Sequence, residues 1–166
     1  MVKNFIKELR TFIFTKFCLR KAKKYGKKIR VNHWSSFSSK TEIGNNCHFN
    51  GIKITGNGIV KIGNNFHSGG GLLILTSNHN YDFGKYIPYD ETTIDKDVII
   101  EDNVWIGQNV TILSGVTIEE GAIIQAGSVV TSNIQKCGIA GGHPAKSFKM
   151  RNLEHYYELK KENKFF

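Results

Sequence analysis

From Ile94 onward an aliphatic residue returns every six positions: Ile100, Ile106, Ile112, Ile118, Ile124 and Val130 follow it. Four places after each stands Val98, Val104, Val110, Val116, Ala122, Ser128 or Ile134, all small or aliphatic. Three places after each stands Asp97, Asn103, Asn109, Gly115, Gly121, Gly127 or Asn133. Gly, Asn and Asp are the residues that best tolerate positive φ. A period of six matches neither an α-helix nor a simple strand alternation. It fits a coil of triangular cross-section, each side a short strand followed by a corner at positive φ. Three six-residue sides complete one coil, so residues eighteen apart stack. Ile94, Ile112 and Val130 are expected in one inner ladder, with Ile100 over Ile118 and Ile106 over Ile124 in the others.

The first half of the chain keeps the rule less strictly. Val31, Phe37, Ile43 and Phe49 hold the phase, with Asn46 at a corner. One extra residue near Thr55–Lys61 shifts it, and it resumes at Ile62, Ser68 and Ile74, with Asn65 at a corner. Fourteen residues, 80–93, then break the repeat and are expected to loop out of the coil, where repeat proteins place function. The expected architecture is all-β: a triangular parallel β-coil of six-residue repeats over 31–150, carrying loop 80–93. A basic amphipathic helical segment, 1–30, precedes it and a helix, 151–166, follows, with Asn152 as its N-cap. Either helix would serve to cover an open end of the coil, whose strand edges are otherwise unpaired.

Charge is concentrated rather than spread. Residues 1–30 carry eleven Lys/Arg and one acid, Glu8, whereas the other 136 residues carry twelve bases and thirteen acids. A balanced body argues against nucleic acid as a partner. In the basic segment Val2, Phe5, Ile6, Leu9, Phe12, Ile13 and Phe17 share a helical face, interspersed with Lys3, Lys7, Arg10 and Lys16. Such a stripe has two uses: capping the first coil, or contact with an anionic membrane surface. Cys18, Cys47 and Cys137 are odd in number and lack CxxC spacing, so a reducing cytoplasm fits better than a disulfide framework. No signal peptide is read from the N-terminus, where the longest uncharged run is Thr11–Thr15. The expected location is cytoplasmic, with a peripheral position at the inner membrane face if residues 1–30 bind lipid.

The stretch Val104-Trp-Ile-Gly-Gln-Asn-Val-Thr-Ile-Leu-Ser-Gly-Val-Thr-Ile118 resembles the hexapeptide-repeat acyltransferases. So do Ile124-Gln-Ala-Gly-Ser-Val-Val-Thr131 and the tail Ala140-Gly-Gly-His-Pro-Ala-Lys146. The resemblance runs from about Val31 to Met150 and points to the sugar and polysaccharide O-acetyltransferase branch, including maltose, galactoside and colanic-acid-type enzymes. It implies that the coil is a left-handed parallel β-helix of hexapeptide repeats, and it implies a homotrimer, acetyl-CoA as co-substrate, a saccharide acceptor and no metal.

His79, at the head of the loop, matches the family's catalytic histidine. An alcohol is a poor nucleophile until its proton is being removed, and histidine is the side chain suited to remove it near neutral pH. No Cys or Ser lies in a nucleophile motif, so attack on the thioester would be direct. Trp105, Gln108, Ala126, Thr131 and Ser132 match positions along the pantetheine arm, and Lys146 and Lys149 match those meeting the CoA phosphates. Asn50 matches an acceptor-binding asparagine of the maltose and galactoside enzymes. Tyr81 and Asp82, next to His79, are candidates for touching the acceptor or orienting the base.

Besides a binding or structural β-helix with no turnover, two other readings remain. One is N-acetylation of a nucleotide-linked amino sugar or of a xenobiotic. The other is a metal-dependent hydratase like the carbonic anhydrases of this fold, against which stands the absence of any His-x-x-x-x-His pair. His48 and His67, nineteen apart, are expected to stack on adjacent coils. His33 and His155 read as surface residues, and His143 in the tail has no assigned role.

Overall fold

The six-residue sides form the three faces of a parallel β-helix in the computed structural model, which describes residues 2–166. The first face stacks Lys24–Tyr25, Thr41–Ile43, Val60–Ile62, Val98–Ile100 and Thr117–Ile118. The second stacks Arg30–Val31, His48–Phe49, His67–Ser68, Trp105–Ile106, Ile123–Ile124 and Gly138–Gly142. The third stacks Ile52–Thr55, Leu72–Leu75, Thr111–Ile112 and Val129–Val130. Strands within these stacks pair in parallel, and Ala145–Met150 closes the edge of the second face by pairing antiparallel to Gly138–Gly142.

The inner ladders are those the period predicts, with one correction. Ile100 lies over Ile118 and Ile106 over Ile124, all buried. Ile112 is flanked by Val130 and Ile74, not by Ile94. Ile94 is 39% exposed and pairs across a hairpin with Asn78. The coil is re-entered only at Val98, so Ile94 has the right phase but sits on the returning arm of the excursion. That excursion is accordingly longer than 80–93: its arms are Ser77–His79 and Thr93–Asp95.

The corner column also holds, except at its ends. Asn103, Asn109, Gly115, Gly121 and Gly127 all have positive φ, from 53° to 85°. Asp97 and Asn133 do not; their side chains work instead. Asp97 accepts the amide of Ile59 at 2.8 Å and Asn133 that of Thr117 at 2.8 Å, tying neighbouring coils together.

In the lower coils the single extra residue is a net of two changes. Ser36 pairs with Lys53, one residue short of eighteen, because the chain turns tightly at Gly51, φ 111°. Ile43 pairs with Ile62, one residue over, so two are gained around Gly56–Gly58.

Helix α1, Val2–Cys18, covers the first coil, but not with its apolar stripe. The side chains of Val2 and Lys3, both assigned to that region, lie outside the described residues. Thr11, Cys18 and the following Leu19 are buried, the Thr15 hydroxyl accepts the amide of Val31 at 2.9 Å, and Thr11 donates to Asn32 at 3.1 Å. The first coil presents free amides and carboxamides, which hydroxyls satisfy and an alkyl stripe does not. Phe5, Ile6, Leu9, Phe12, Ile13 and Phe17 are left exposed.

Helix α2, Leu153–Lys161, is capped by Asn152 Oδ1 accepting the amide of His155, as expected. It docks on the corner between first and second faces rather than over an open end. There the Tyr156 hydroxyl accepts from Asn103 at 3.0 Å and donates to Glu120 at 3.0 Å. Lys136, at 3.1 Å, and Lys160 pair with the same carboxylate. Burial alone would raise the Glu120 pKa, but these cations and the Tyr156 hydroxyl outweigh it and bring it down to about 2.

Candidate active site

His79 ends the outgoing arm of the hairpin at the corner between third and first faces. Glycines clear the space that the hairpin needs: a Cβ at Gly56 would collide with Ser77, and one at Gly58 with the carbonyl of Lys96. Thr76 braces the base, its hydroxyl donating to the Thr55 carbonyl at 2.9 Å and accepting the Gly58 amide at 3.1 Å.

The imidazole of His79 stacks on Tyr89, centroids 3.7 Å apart and planes 14° from parallel. Face-on stacking fixes the ring plane while leaving both ring nitrogens on its edge. Tyr89 is held by its neighbour Asp90, which is buried in an otherwise exposed loop. The Asp90 carboxylate accepts the Thr92 hydroxyl, the Lys85 amide at 2.8 Å and the Thr92 amide at 2.9 Å, and the same bonds lower its pKa. Asn80 adds a bond to the Thr92 hydroxyl at 3.1 Å and accepts the Phe83 amide at 3.2 Å.

Tyr81 and Asp82 follow His79 but lie exposed in the turn. Among the described residues no side-chain contact joins either to the imidazole. The ring partner comes instead from ten residues further on, across the hairpin, and only the crowding of aromatics in the loop hinted at it.

The residues assigned to the co-substrate fall in several places. Trp105 is 54% exposed on the second face, between His67 and Ile123. Gln108 and Ala126 are exposed and stacked at the corner between second and third faces, where the Gly127 amide bonds to the Gln108 carbonyl at 2.8 Å. That corner is bare backbone: a Cβ at Gly107 would strike the Ala126 amide, and one at Gly127 would point into open space. Thr131 and Ser132 are exposed on the same corner as the hairpin, further up the stack. Lys146 and Lys149 are exposed on the closing strand, opposite Gly141 and Ile139. Asn50 is half-buried with both ends of its amide engaged, accepting from Asn32 at 3.0 Å and donating to the Ser68 carbonyl at 2.7 Å.

One chain therefore places His79 and the Gln108–Ala126 corner at two different vertices of the triangle. They are separated by a full side, roughly 20 Å for six extended residues.

The second face carries a separate cluster. His48 and His67 sit on adjacent coils with ring centroids 4.4 Å apart but planes tilted by 52°, and Phe166 lies against both rings, at 6.1 and 5.5 Å. Burial lowers both histidine pKa values, and at His48 the His67 ring adds to the effect. Among the described residues His67 Nε2 is buried without a partner. A cavity of about 370 Å³ runs from Trp105 and His67 to Tyr156, Lys160 and Phe165–Phe166, sharing only Trp105 with the assigned site residues. Among the described residues no three His, Cys, Asp or Glu side chains converge on a metal position. His143 is exposed in the turn before the closing strand, and His33 and His155 are exposed.

Residues 97–132 match the family of bacterial transferase hexapeptide repeats, six repeats in length. The match begins at Asp97, where the coil resumes after the hairpin. Among solved structures, a hexapeptide-repeat acetyltransferase from Vibrio cholerae in complex with acetyl-CoA is 29% identical, with a TM-score of 0.55. The alignment covers 76% of this chain and 64% of that one, so the hexapeptide-repeat chain spans just under two thirds of that enzyme. A maltose O-acetyltransferase from Clostridium difficile is 26% identical, TM-score 0.60, over 76% of this chain and 66% of that one. An N-acyltransferase from Bacillus cereus bound to dTDP-4-amino-4,6-dideoxyglucose and coenzyme A is 21% identical. It has a TM-score of 0.69 over 86% of each chain, a likeness of fold. None of the curated protein sequences matches the chain.

Proposed function

We propose that this hexapeptide-repeat protein transfers the acetyl group of acetyl-CoA to a saccharide hydroxyl, in the biosynthesis of a surface polysaccharide or other glycan. The observation that carries the reading is His79 held against Tyr89 at the head of a braced hairpin, the one histidine whose position matches the family's base. An edge nitrogen of the imidazole takes the acceptor's hydroxyl proton as the oxygen attacks the thioester carbonyl. The tetrahedral intermediate then expels the CoA thiolate, and the imidazolium returns the proton to sulfur. The open Gln108–Ala126 corner offers backbone to the pantetheine arm, Trp105 a flat apolar wall, and Lys146 and Lys149 charge for the phosphates. Thr131 and Ser132 lie on His79's own corner, higher up the stack.

The separation of the two corners supports assembly of the site from neighbouring copies. In a homotrimer of parallel coils, the His79 hairpin of one copy faces the Gln108–Ala126 corner of the next, which completes each cleft. The partners of the protein are thus the saccharide, two further copies and, through residues 1–30, the inner membrane face of the cytoplasm. Tyr81 and Asp82, exposed beside His79, are placed to meet the acceptor; Asn50 would have to release one of its side-chain hydrogen bonds to do so.

The test is release of free CoA thiol from acetyl-CoA with a panel of neutral sugars, amino sugars and nucleotide-linked amino sugars. Transfer to hydroxyls is expected, with His79→Ala lowering kcat by roughly two to four decades and leaving acetyl-CoA affinity unchanged. Turnover within tenfold of wild type would remove His79 from the role, and a preference for amino acceptors would replace O- with N-acetylation.

A further inference from the structure

The apolar stripe of α1 points away from the protein. The helix rests on the coil through Thr11, Phe14, Thr15 and Cys18, and the stripe occupies its opposite side. Phe5 is 70% and Phe12 65% exposed, and Ile6, Leu9, Ile13 and Phe17 are exposed beside them. An outward row of six large apolar side chains on a helix of seventeen residues is a surface built to be covered.

Its surroundings are strongly cationic. Residues 1–30 hold eleven of the chain's bases and one acid. Lys23 and Lys24 share Glu42, and Arg30 pairs with Glu8. Lys7, Arg10, Lys16, Arg20, Lys27 and Lys28 form no ion pair among the described residues. No described helix is long and apolar enough to cross a membrane.

We propose that α1 is an in-plane membrane anchor, lying on an anionic bilayer with Phe5, Leu9, Phe12 and Ile13 in the acyl boundary. The unpaired bases meet lipid phosphates around it. Lys16 selects a bilayer over a second copy of the chain. It stands four residues after Phe12, three after Ile13 and seven after Leu9, inside the stripe. Between two protein surfaces its ammonium would be buried without an acid to meet it. At a lipid surface the butyl stem follows the stripe inward while the ammonium reaches back to the phosphates. The polar side of α1 is already occupied by the first coil, so the protein itself fixes which side meets lipid. The inference deepens the membrane partner of the proposed function but is independent of acetyl transfer, because docking needs no turnover.

The experiment is sedimentation of the full-length protein with vesicles of phosphatidylcholine alone or with about a third phosphatidylglycerol, at low and high salt. The double variant Phe5→Glu, Phe12→Glu is run alongside. Anionic vesicles are expected to retain the wild type at least about tenfold more than neutral ones, the excess fading with salt. The variant is expected to lose retention while keeping its melting temperature, its mass by light scattering and its kcat on a soluble acceptor. Equal retention on both vesicle types, none at low salt, or full retention of the variant would overturn the proposal. A variant whose oligomer dissociates would also overturn it, assigning the stripe to a second copy.

Discussion

The upper coils, 98–134, and the lower coils, 31–75, share one architecture and differ in how strictly they keep it. In the upper coils strand neighbours are eighteen residues apart, as Ile99 with Thr117, Trp105 with Ile123 and Thr111 with Val129, until the last bridge, Ile118 with Ile134, drops to sixteen. Their inner ladders are aliphatic. In the lower coils the spacing ranges from seventeen, Ser36 with Lys53, to twenty, Ile54 with Ile74. Their interior holds Phe37, Phe49 and Phe66 in successive ring contacts of 5.1 and 5.3 Å, with Thr41, Cys47 and Ser68 among them. Aromatic rings fill a cross-section that varies from coil to coil, whereas branched aliphatics fill one that repeats. Strict repetition makes a flat, bare corner along which an extended ligand can lie. Broken repetition makes room for an inserted hairpin, and that is where the candidate base sits.

The contrast is open to direct tests. Ile112→Ala, in the regular ladder, should cost about 2–5 kcal/mol in chemical unfolding. Ile94→Ala, the same residue type in the same six-residue phase but exposed on the hairpin, should stay within about 0.5 kcal/mol. Equal losses would mean that Ile94 belongs to the core and that the hairpin is misplaced.

Tyr89→Ala should lower kcat about three- to tenfold, the worth of an aromatic stack, and leave KM for acetyl-CoA in place. Tyr89→Phe should restore the rate, since the ring and not the hydroxyl holds His79. A Tyr89→Phe variant as slow as Tyr89→Ala would make the hydroxyl the working group.

The smallest effect concerns α2. The Glu120 pKa is lowered to about 2 from an ordinary 4.5, so its stabilising contribution is complete above about pH 4.5 and fades as pH falls toward 2. Glu120→Gln should flatten the melting temperature across that window, and an unchanged acid slope would show that other carboxylates hold the helix.

Much of this was legible in the sequence because the repeat is a constraint of geometry. The corner residues announce positive φ, and the aliphatics announce the ladders in phase. Phase alone could not show Ile94 leaving the coil, because a hairpin arm can carry the same residue at the same interval. It also could not show that α1 turns its threonines inward, since hydropathy ranks Phe12 above Thr11. The deciding term is the unsatisfied amide of Val31, which only the folded edge reveals. At the candidate site the position of His79 was readable and its stacking partner was not, because that contact closes across a loop with no repeat to fix its register.

The central claim is that catalysis needs two corners, and that neighbouring copies supply them. Its most direct test is co-expression of His79→Ala with Ala126→Trp, the latter blocking the exposed corner without touching the core. Each variant alone should be nearly inactive. In randomly mixed trimers one cleft in four joins an intact hairpin to an intact corner, so the mixture should regain about a quarter of wild-type turnover. No recovery above either parent, with mixed assemblies demonstrated by differential tags, would place the whole site within one chain and contradict the account.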